Sequence, residues 1–323
     1  MQKVAVVGLG SIAARHRKNL KYLLPATTVF AVSSSGRLVP EKVSDCDYLV
    51  SSIEELVKVG PDMVIIASPS PYHALHVIPF INAGIPALIE KPLAASIADA
   101  ELIKKSQARN NTPVAVGYCL RYLSSATKIK RLLEQQYIGE IYNSFIQVGQ
   151  YLPDWREKSY TDSVTANIHL GGGALLELSH ELDYAHWLLG GLQVEHVILR
   201  SSKELRLEVE DMADITLTGH KGMVCHIHLD LLQRAPKRQC CLIGSKGSLD
   251  WDLIKNKITF TGSKGAEVLY SEPNWDKNNM YVDLLSDFFL YAQRKKNRAI
   301  GLVDARKTLE LIESIKLIAK RVK

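Results

Sequence analysis

The chain has 323 residues, of which 46% are hydrophobic and 23% charged, with a formal net charge of +6. This length and composition predict a globular protein of two domains. No apolar run approaches the ~20 residues that a membrane-spanning helix needs. The basic residues are scattered and lack interleaved aromatic residues, so we expect neither a membrane nor a nucleic-acid partner.

The five cysteines form no Cys-x-x-Cys pair, so the sequence supports no metal site. The N-terminus enters a short apolar strand directly and lacks the features of a secretory signal. We therefore expect a cytoplasmic protein with reduced thiols and no bound metal.

Residues 1–120 alternate short apolar runs with helical segments, and we assign them to the first domain. The runs are rich in β-branched residues, which is typical of parallel strands buried on both faces. This alternation predicts an α/β fold, a Rossmann domain with a doubly wound parallel sheet. The predicted strands are 4–7, 29–32, 63–67, 87–89 and 114–116, and the predicted helices are 12–24, 53–59, 72–83 and 97–109.

Residues 121–323 have a different pattern and form the second predicted domain. Turn-separated runs with strand character dominate it, and one helix, 174–189, interrupts them. Two amphipathic helices close the chain. We expect a C-terminal α+β domain with a mostly antiparallel open sheet. Its predicted strands are 139–150, 192–201, 213–217, 223–232 and 237–243.

A glycine-rich turn lies between the first strand and the first helix. Its residues form the G-x-G-x-x-A dinucleotide fingerprint. Gly8 permits a tight turn, Gly10 lets the backbone approach a pyrophosphate, and Ala13 lets the helix pack closely on the strand. The helix N-terminus offers N–H groups to the phosphates. The pattern predicts that NAD or NADP binds Gly8, Gly10, Ser11, Ile12 and Ala13.

The residues after the second strand bear on the choice between the two cofactors. An acidic residue there would bind the ribose hydroxyls of NAD, but the sequence reads Ser-Ser-Ser-Gly-Arg from residue 33. Small hydroxyls and an arginine suit a 2′-phosphate better than a free hydroxyl. Ser34 and Arg37 are therefore candidate ligands that favour NADP slightly, while a solvent-facing Arg37 is the alternative.

Three further motifs carry a family resemblance. Ser68-Pro69-Ser70-Pro71-Tyr72-His73 and Glu90-Lys91-Pro92 each follow a strand, and Gly171-Gly172-Gly173 precedes the helix with His180 and Asp183. Together with the fingerprint, His16, Gly139-Glu140-Ile141 and the turn at 244–249, they resemble the Gfo/Idh/MocA family of glucose–fructose oxidoreductase and inositol dehydrogenase relatives. The resemblance covers nearly the whole chain. It implies an oxidoreductase acting on a sugar-like substrate, in which Glu-Lys-Pro often contains a cis bond and the second-domain sheet mediates homodimers or homotetramers.

The expected catalytic residues are Lys91 and His180. The carboxyl ends of the strands border the ligand crevice, so Lys91 should face the nicotinamide and the substrate, where it can stabilise charge on the reacting oxygen. The resemblance assigns proton transfer to His180, and a structural histidine is the alternative. The remaining residues expected at this part of the cofactor site are Ser68, Pro69, Ser70, His73 and Glu90.

The sequence departs from the family pattern next to His180. Family members often carry an Asp four residues before this histidine, whereas this chain has Glu177 three residues before it. The role of Glu177 therefore stays open, and Glu181 or Asp183 could orient the imidazole instead.

Further polar and aromatic residues are candidates for holding substrate. Arg121 follows the strand at 114–116 and either binds substrate or forms an interdomain salt bridge. The stretch from Tyr151 to Tyr160 is dense in side chains that stack on sugars and bind their hydroxyls, or that pack a loop. The substrate-binding candidates are Lys91, Arg121, Trp155, Arg156, Tyr160, His180 and Asp183.

Two features of the sequence have alternative interpretations. His226 and His228 share a strand face, but no local ligand completes a metal site, so an ordinary histidine pair is favoured. A non-catalytic dinucleotide-binding regulator or scaffold of the same fold is the alternative function. The presence of both Lys91 and His180 favours an NAD(P)-dependent enzyme that transfers hydride to or from a sugar, polyol or nucleotide-sugar.

Overall fold

The computed structural model describes residues 1–35, 42–155 and 159–322. The chain divides into two compact units. Unit 1 comprises Met1–Cys119 and Asn278–Leu309, and unit 2 comprises Leu120–Lys277 and Glu310–Lys323. The predicted boundary near residue 120 thus marks the first passage between units, but residues 278–309, which we assigned to the second domain, join unit 1.

Unit 1 contains a fully parallel sheet among its described residues, which confirms the predicted Rossmann-like fold. The strands lie in the order β3-β2-β1-β4-β5-β6, with every adjacent pair parallel. Residues 4–7 and 63–66 in the middle of the sheet are completely buried, as the apolar runs indicated. The strands are β1 (Lys3–Val7), β2 (Thr28–Val32), β3 (Tyr48–Val50), β4 (Met63–Ile66), β5 (Ala87–Ile89) and β6 (Val114–Val116).

In the described part of unit 1, the helices between these strands are α1 (Ser11–Leu23), α2 (Ile53–Val59), α3 (His73–Asn82) and α4 (Ile97–Asn110). Serine side chains cap two of them, because Ser52 accepts a hydrogen bond from Glu55 N and Ser96 accepts one from Asp99 N. The strand β3 was not predicted. It is only three residues long, and Tyr48 in it is exposed, so its apolar pattern is weak.

Unit 2 contains a mixed, mostly antiparallel sheet, as predicted. Its order is β14-β13-β12-β11-β7-β10-β9-β8-β15, and only the β7–β10 and β8–β15 pairs are parallel. Its strands are β7 (Ile141–Gly149), β8 (Gln193–Arg200), β9 (Met212–Thr218), β10 (Val224–Asp230), β11 (Lys237–Gly244), β12 (Gly247–Asp252), β13 (Lys257–Gly262), β14 (Gly265–Ser271) and β15 (Lys320–Val322).

Helices cover one face of this sheet. Two of them are α5 (Ser124–Glu134) and α7 (His180–Leu189), and both contact Trp251 on β12. The Trp251 Nε1 donates to Ser125 Oγ on α5 at 2.8 Å, and the Trp251 ring packs against Tyr184 on α7. The strand residues alternate between this buried face and the opposite one, which carries Phe145, His226 and His228.

The predicted helix 174–189 is interrupted. A short helix α6 (Ala174–Glu177) ends at Leu178, and α7 begins at His180. The break places His180 in the first turn of α7 instead of in the middle of a long helix.

The last two helices are α8 (Asn279–Ala292) and α9 (Leu302–Ile318). The amides of Asn19 on α1 and Asn278 beside α8 exchange two hydrogen bonds, and the Arg15 guanidinium lies 4.5 Å from the ring centre of Tyr281. Val116 N also donates to Ile300 O. These contacts explain why residues 278–309 belong to unit 1. No helix in the described ranges has both the length and the apolar character that a membrane span requires.

Candidate active site

The turn after β1 has the shape that a dinucleotide needs. Gly8 has φ +116°, and a Cβ there would lie 2.6 Å from the Ala67 carbonyl oxygen. Only glycine fits this position, because the conformation is left-handed and the backbone of the next strand is too close. Gly10 precedes α1 and has open space around its Cα, so its backbone is accessible. Ser11 and Ile12 open the helix, and Ala13 is buried against the sheet.

Arg17 is a contributor to this turn that sequence reasoning missed. Its guanidinium is buried, with Nη1 donating to Gly8 O at 3.3 Å and Nε donating to Ser44 O at 2.9 Å. Burial lowers the pKa of Arg17, while Cys46 and Asp45 oppose this effect. Arg17 therefore ties the fingerprint turn to the segment before β3. Nothing in the basic sequence around it distinguishes this side chain from a solvent-facing helix arginine.

The residues expected to select between NAD and NADP follow β2. Ser34 lies in a turn in which Ser33 Oγ accepts a weak hydrogen bond from Ser35 N. Arg37 lies outside the described residues, so this part of the prediction stays a prediction.

The segment after β4 is anchored by two histidines. His73, the first residue of α3, is buried, with Nε2 2.9 Å from Ser68 O and Nδ1 3.0 Å from Pro92 O. Its ring therefore joins the segment after β4 to the segment after β5, and burial lowers its pKa. His76 Nδ1 lies 2.9 Å from Ser68 Oγ, and burial, then His73, lowers the pKa of His76 to about 4.

His73 was expected to bind cofactor, and the structure instead directs both of its ring nitrogens to backbone oxygens. Pro69 and Ser70 lie in the same segment, and Ser70 begins a short 3-10 turn that leads into α3. The bracing by His73 positions Ser68, Pro69 and Ser70 beside the end of β5.

The end of β5 carries a buried acid. Glu90 Oε1 lies 2.6 Å from His16 Nε2, and Glu90 Oε2 accepts a hydrogen bond from Lys91 N at 3.2 Å. A Cβ at Gly117 would lie 3.3 Å from the same carboxylate, so a larger residue would crowd it. The Lys91–Pro92 peptide bond is cis, as the resemblance implied. Lys91 itself is half-buried at the carboxyl edge of the sheet.

In unit 2, the triple glycine forms a tightly packed turn before His180. A Cβ at Gly172 would lie within 2.8 Å of three carbonyl oxygens, and one at Gly173 would lie 2.4 Å from Glu210 Oε1. Glu210 accepts hydrogen bonds from Ala174 N and Leu175 N, and burial raises its pKa. Glu210 therefore fixes the approach to α7, a role that its position in the sequence did not reveal.

The acidic neighbours of His180 are bound to arginines. Arg121 donates two hydrogen bonds to Asp183, and Arg238 donates two to Glu181. Glu177, whose role the sequence left open, accepts a hydrogen bond from Thr165 Oγ1. Glu177, Glu181 and Asp183 therefore each hold a neighbouring segment of unit 2.

The Arg121–Asp183 pair also bears on two substrate-binding candidates. Both side chains are buried, and the guanidinium lies 5.5 Å from the Trp187 ring centre. Arg121 was expected either to bind substrate or to bridge the domains. The structure shows a salt bridge within unit 2, so the interdomain bridge is corrected to an internal one.

The aromatic candidates lie in a stretch of short 3-10 turns. Tyr160 OH donates to Leu205 O at 3.2 Å, so this hydroxyl is used within the fold. Trp155 ends the turn Leu152–Trp155, and its buried Nε1 has no hydrogen-bond partner among residues 1–35, 42–155 and 159–322. Arg156 lies outside the described residues.

A concave region lies on the uncovered face of the unit 2 sheet. It has a volume of about 810 Å³, and His226 and His228 line it. His226 stacks on Phe145, and His228 lies between Asp214 and Asp230. The described part of the chain has no group of three side chains able to hold a metal ion.

Comparison with known proteins identifies both parts of the chain. Residues 2–118 match the oxidoreductase family with an NAD-binding Rossmann fold, and residues 126–250 match the GFO/IDH/MocA C-terminal domain. An inositol 2-dehydrogenase/D-chiro-inositol 3-dehydrogenase of Shouchella clausii is 26% identical over 293 residues, which span 85% of this chain and 78% of that protein.

Solved structures share the fold over nearly the full chain. A levoglucosan dehydrogenase in complex with NADH and levoglucosan superposes with a TM-score of 0.83 at 16% identity, covering 98% of this chain and 96% of that one. The UDP-N-acetylglucosamine 3-dehydrogenase GnnA from Acidithiobacillus ferrooxidans gives a TM-score of 0.79 at 17% identity, covering 98% and 97%. With both domain families matched in order, this chain belongs to the Gfo/Idh/MocA oxidoreductase family.

Proposed function

We propose that the protein is an NAD(P)-dependent dehydrogenase or reductase that acts on a CH–OH group of a sugar, polyol or nucleotide-sugar. The observation that carries this proposal is the carboxyl edge of the unit 1 sheet, where the glycine turn after β1 and Lys91 after β5 occupy the same edge. Ligands of open α/β sheets bind at this edge. The activities named for the relatives support the substrate class.

The turn of residues 8–13 would hold the dinucleotide, because the Gly8 conformation and the open space at Gly10 fit a pyrophosphate. When bound, the nicotinamide supplies the hydride acceptor or donor. Ser34 and Arg37 favour NADP slightly over NAD, since residues 33–37, directly after β2, include no acid. Ser68, Pro69, Ser70, Glu90 and Lys91 would line the nicotinamide half, with His73 bracing them.

Lys91 is proposed to stabilise negative charge on the reacting oxygen. Its backbone is fixed on both sides, by the Glu90 carboxylate that accepts from Lys91 N and by the His73 contact to Pro92 O. A lysine held at a strand end supplies a preorganised positive charge, which is the most effective form of electrostatic stabilisation.

His180 is proposed to exchange the hydroxyl proton. Histidine titrates near neutral pH, so it can accept a proton in alcohol oxidation and return it in ketone reduction. The close-packed glycine turn and Glu210 fix the chain just before it.

Trp155, Arg156 and Tyr160 are proposed to contact substrate, because aromatic rings stack on sugar faces and arginine binds their hydroxyls. Arg121 and Asp183 are proposed to contribute to substrate binding as an ion pair. Because their opposite charges largely cancel, the pair has little net charge with which to attract an anionic substrate.

The test begins with thermal shifts for NAD and NADP, because a ligand that binds only the native state raises the midpoint. A turnover screen with inositols, levoglucosan and UDP-N-acetylglucosamine then follows nicotinamide absorbance. Lys91→Ala should lower kcat by roughly 10²–10³-fold and still bind the dinucleotide. The exposed Lys105→Ala serves as the matched control. Full turnover by Lys91→Ala would eliminate the proposed role.

A non-catalytic dinucleotide-binding regulator of the same fold is the second candidate, favoured only if the wild-type protein binds a dinucleotide and turns over no substrate in the screen. We also propose a cytoplasmic location. We further propose that the chain forms a homodimer or homotetramer, and sedimentation of the purified chain would measure the mass of this assembly.

A further inference from the structure

The pair formed by His16 and Glu90 is not used in the proposed reaction. His16 lies on α1 and is fully buried, and Glu90 is 7% exposed at the end of β5. His16 Nε2 and Glu90 Oε1 are 2.6 Å apart. A contact this short between a buried imidazole nitrogen and a buried carboxylate oxygen is a strong hydrogen bond.

The surroundings of the imidazole decide the charge of the pair. The second ring nitrogen, His16 Nδ1, is buried and has no hydrogen-bond partner in the part of the chain that the structure describes. A protonated imidazolium ring would carry an N–H at this buried atom with no acceptor for it, which is costly. A neutral ring protonated at Nε2 carries only a lone pair at Nδ1, so no buried donor is left unsatisfied. The geometry thus favours a neutral His16 that donates from Nε2, so the pair carries the single negative charge of the Glu90 carboxylate.

The carboxylate is held in one place. Its other oxygen accepts from Lys91 N, and Gly117 packs closely against it, since a Cβ at Gly117 would lie 3.3 Å from Glu90 Oε1. Tyr281 packs edge-on against the His16 ring, with a centroid distance of 6.3 Å, and Arg15 lies on the Tyr281 ring. The charged and titratable groups around the pair in unit 1 include Lys91, His73, Cys119, Tyr281 and Arg15.

The position of Glu90 in the sheet determines which part of a dinucleotide it can affect. In the sheet, β1 and its pyrophosphate site lie between β2 on one side and β4 and β5 on the other. The adenosine ribose of a bound dinucleotide lies at the end of β2. A dinucleotide bound across this point places its nicotinamide half on the β4–β5 side, where Glu90 lies.

We propose that the His16–Glu90 pair biases the bound cofactor toward its oxidised form. The oxidised nicotinamide ring carries a positive charge that hydride uptake removes, so a fixed negative charge nearby stabilises the oxidised ring selectively. The inference rests on the dinucleotide binding of the proposed function, and it is independent of which sugar is the substrate.

The test compares dissociation constants for NAD⁺ and NADH, or for the 2′-phosphorylated pair if that pair binds more tightly, by titration calorimetry of the full chain. Glu90→Gln removes the charge and keeps the shape, and it should weaken binding of the oxidised form about tenfold relative to the reduced form. Glu54→Gln, an exposed acid on α2 of the same unit, should leave the ratio unchanged. His16→Asn keeps a donor and the negative charge, so its ratio should stay within about threefold of wild type.

A ratio in Glu90→Gln within about twofold of wild type overturns the inference. If Glu90→Gln does not fold, Glu90→Ala, which also removes the charge, takes its place, and the same twofold limit on the ratio applies. A wild-type protein that binds neither form contradicts the proposed function itself, which separates the two failures.

Discussion

Arg121 and Asp183 form a buried bidentate pair, with Nε 2.9 Å from Oδ2 and Nη2 2.7 Å from Oδ1. Each residue belongs to a different segment of unit 2, Arg121 to the short turn before α5 and Asp183 to the first turn of α7. The pair therefore holds the helix that begins with His180 against the segment that follows the Rossmann strands in sequence.

Removing one member should be more damaging than removing both. Asp183→Asn or Arg121→Met removes the bidentate partner of a buried charge and should cost about 3–5 kcal/mol of unfolding free energy. The double variant Arg121→Met/Asp183→Asn should recover part of this loss, because no buried charge remains. Urea unfolding of the three variants measures the difference. Equal stability of the single variants and wild type would mean that the pair contributes nothing.

Two glycines of the fingerprint should respond differently to alanine. Gly8→Ala forces a Cβ to 2.6 Å from Ala67 O at φ +116°, so it should lower the melting temperature and abolish dinucleotide binding. Gly10→Ala meets no atom within 4 Å, so its melting temperature should match wild type while binding is lost. Differential scanning fluorimetry with and without NAD or NADP measures both effects. Unchanged binding by Gly10→Ala would argue against a phosphate at this turn.

His73 should be a positioning residue. His73→Ala removes the ring between Ser68 O and Pro92 O, and it should cost about 2–4 kcal/mol through the cavity and the lost hydrogen bond. Because the loss also frees the segments after β4 and β5, dinucleotide affinity should fall. Leu75→Ala, at an exposed position of the same helix, is the control. A His73→Ala variant with wild-type stability and affinity would contradict the bracing role.

His228 should make the stability of unit 2 depend on pH. Its hydrogen bond to Asp230 raises its pKa against burial, and Asp214 adds to the rise. A histidine whose pKa is raised on folding contributes stability that is fully present below its unfolded value, about 6.5, and lost as the pH rises through the folded value.

His228→Gln should therefore be less stable than wild type at about pH 5.5, by roughly 1 kcal/mol because the ring is partly exposed. The gap should close in mildly alkaline buffer. Thermal melts across this range measure it, and His226→Gln, whose ring stacks on Phe145, is the matched control. A gap that grows with pH would show that the histidine is not charged in its acid pair.

The local sequence pattern was sufficient to predict the fold class and the position of the dinucleotide-binding turn. The buried β-branched runs and the glycines at 8 and 10 report constraints that act within a few residues, so they are visible without any long-range contact. The short strand β3 was missed because pairing with β2, not its own composition, stabilises it. The interruption between α6 and α7 was missed because helical spacing continues through it.

The amino-acid sequence by itself determined the Rossmann fold, the mixed second sheet, the family motifs and the candidates Lys91 and His180. Tertiary structure alone decided that Arg121 pairs with Asp183, that His73 binds backbone oxygens, that Arg17 supports Gly8, and that Glu90 meets His16. The physical reason is distance along the chain. These partners are between 5 and 74 residues apart, and a hydrogen bond depends on where two atoms lie in space, which residue type and local spacing do not specify.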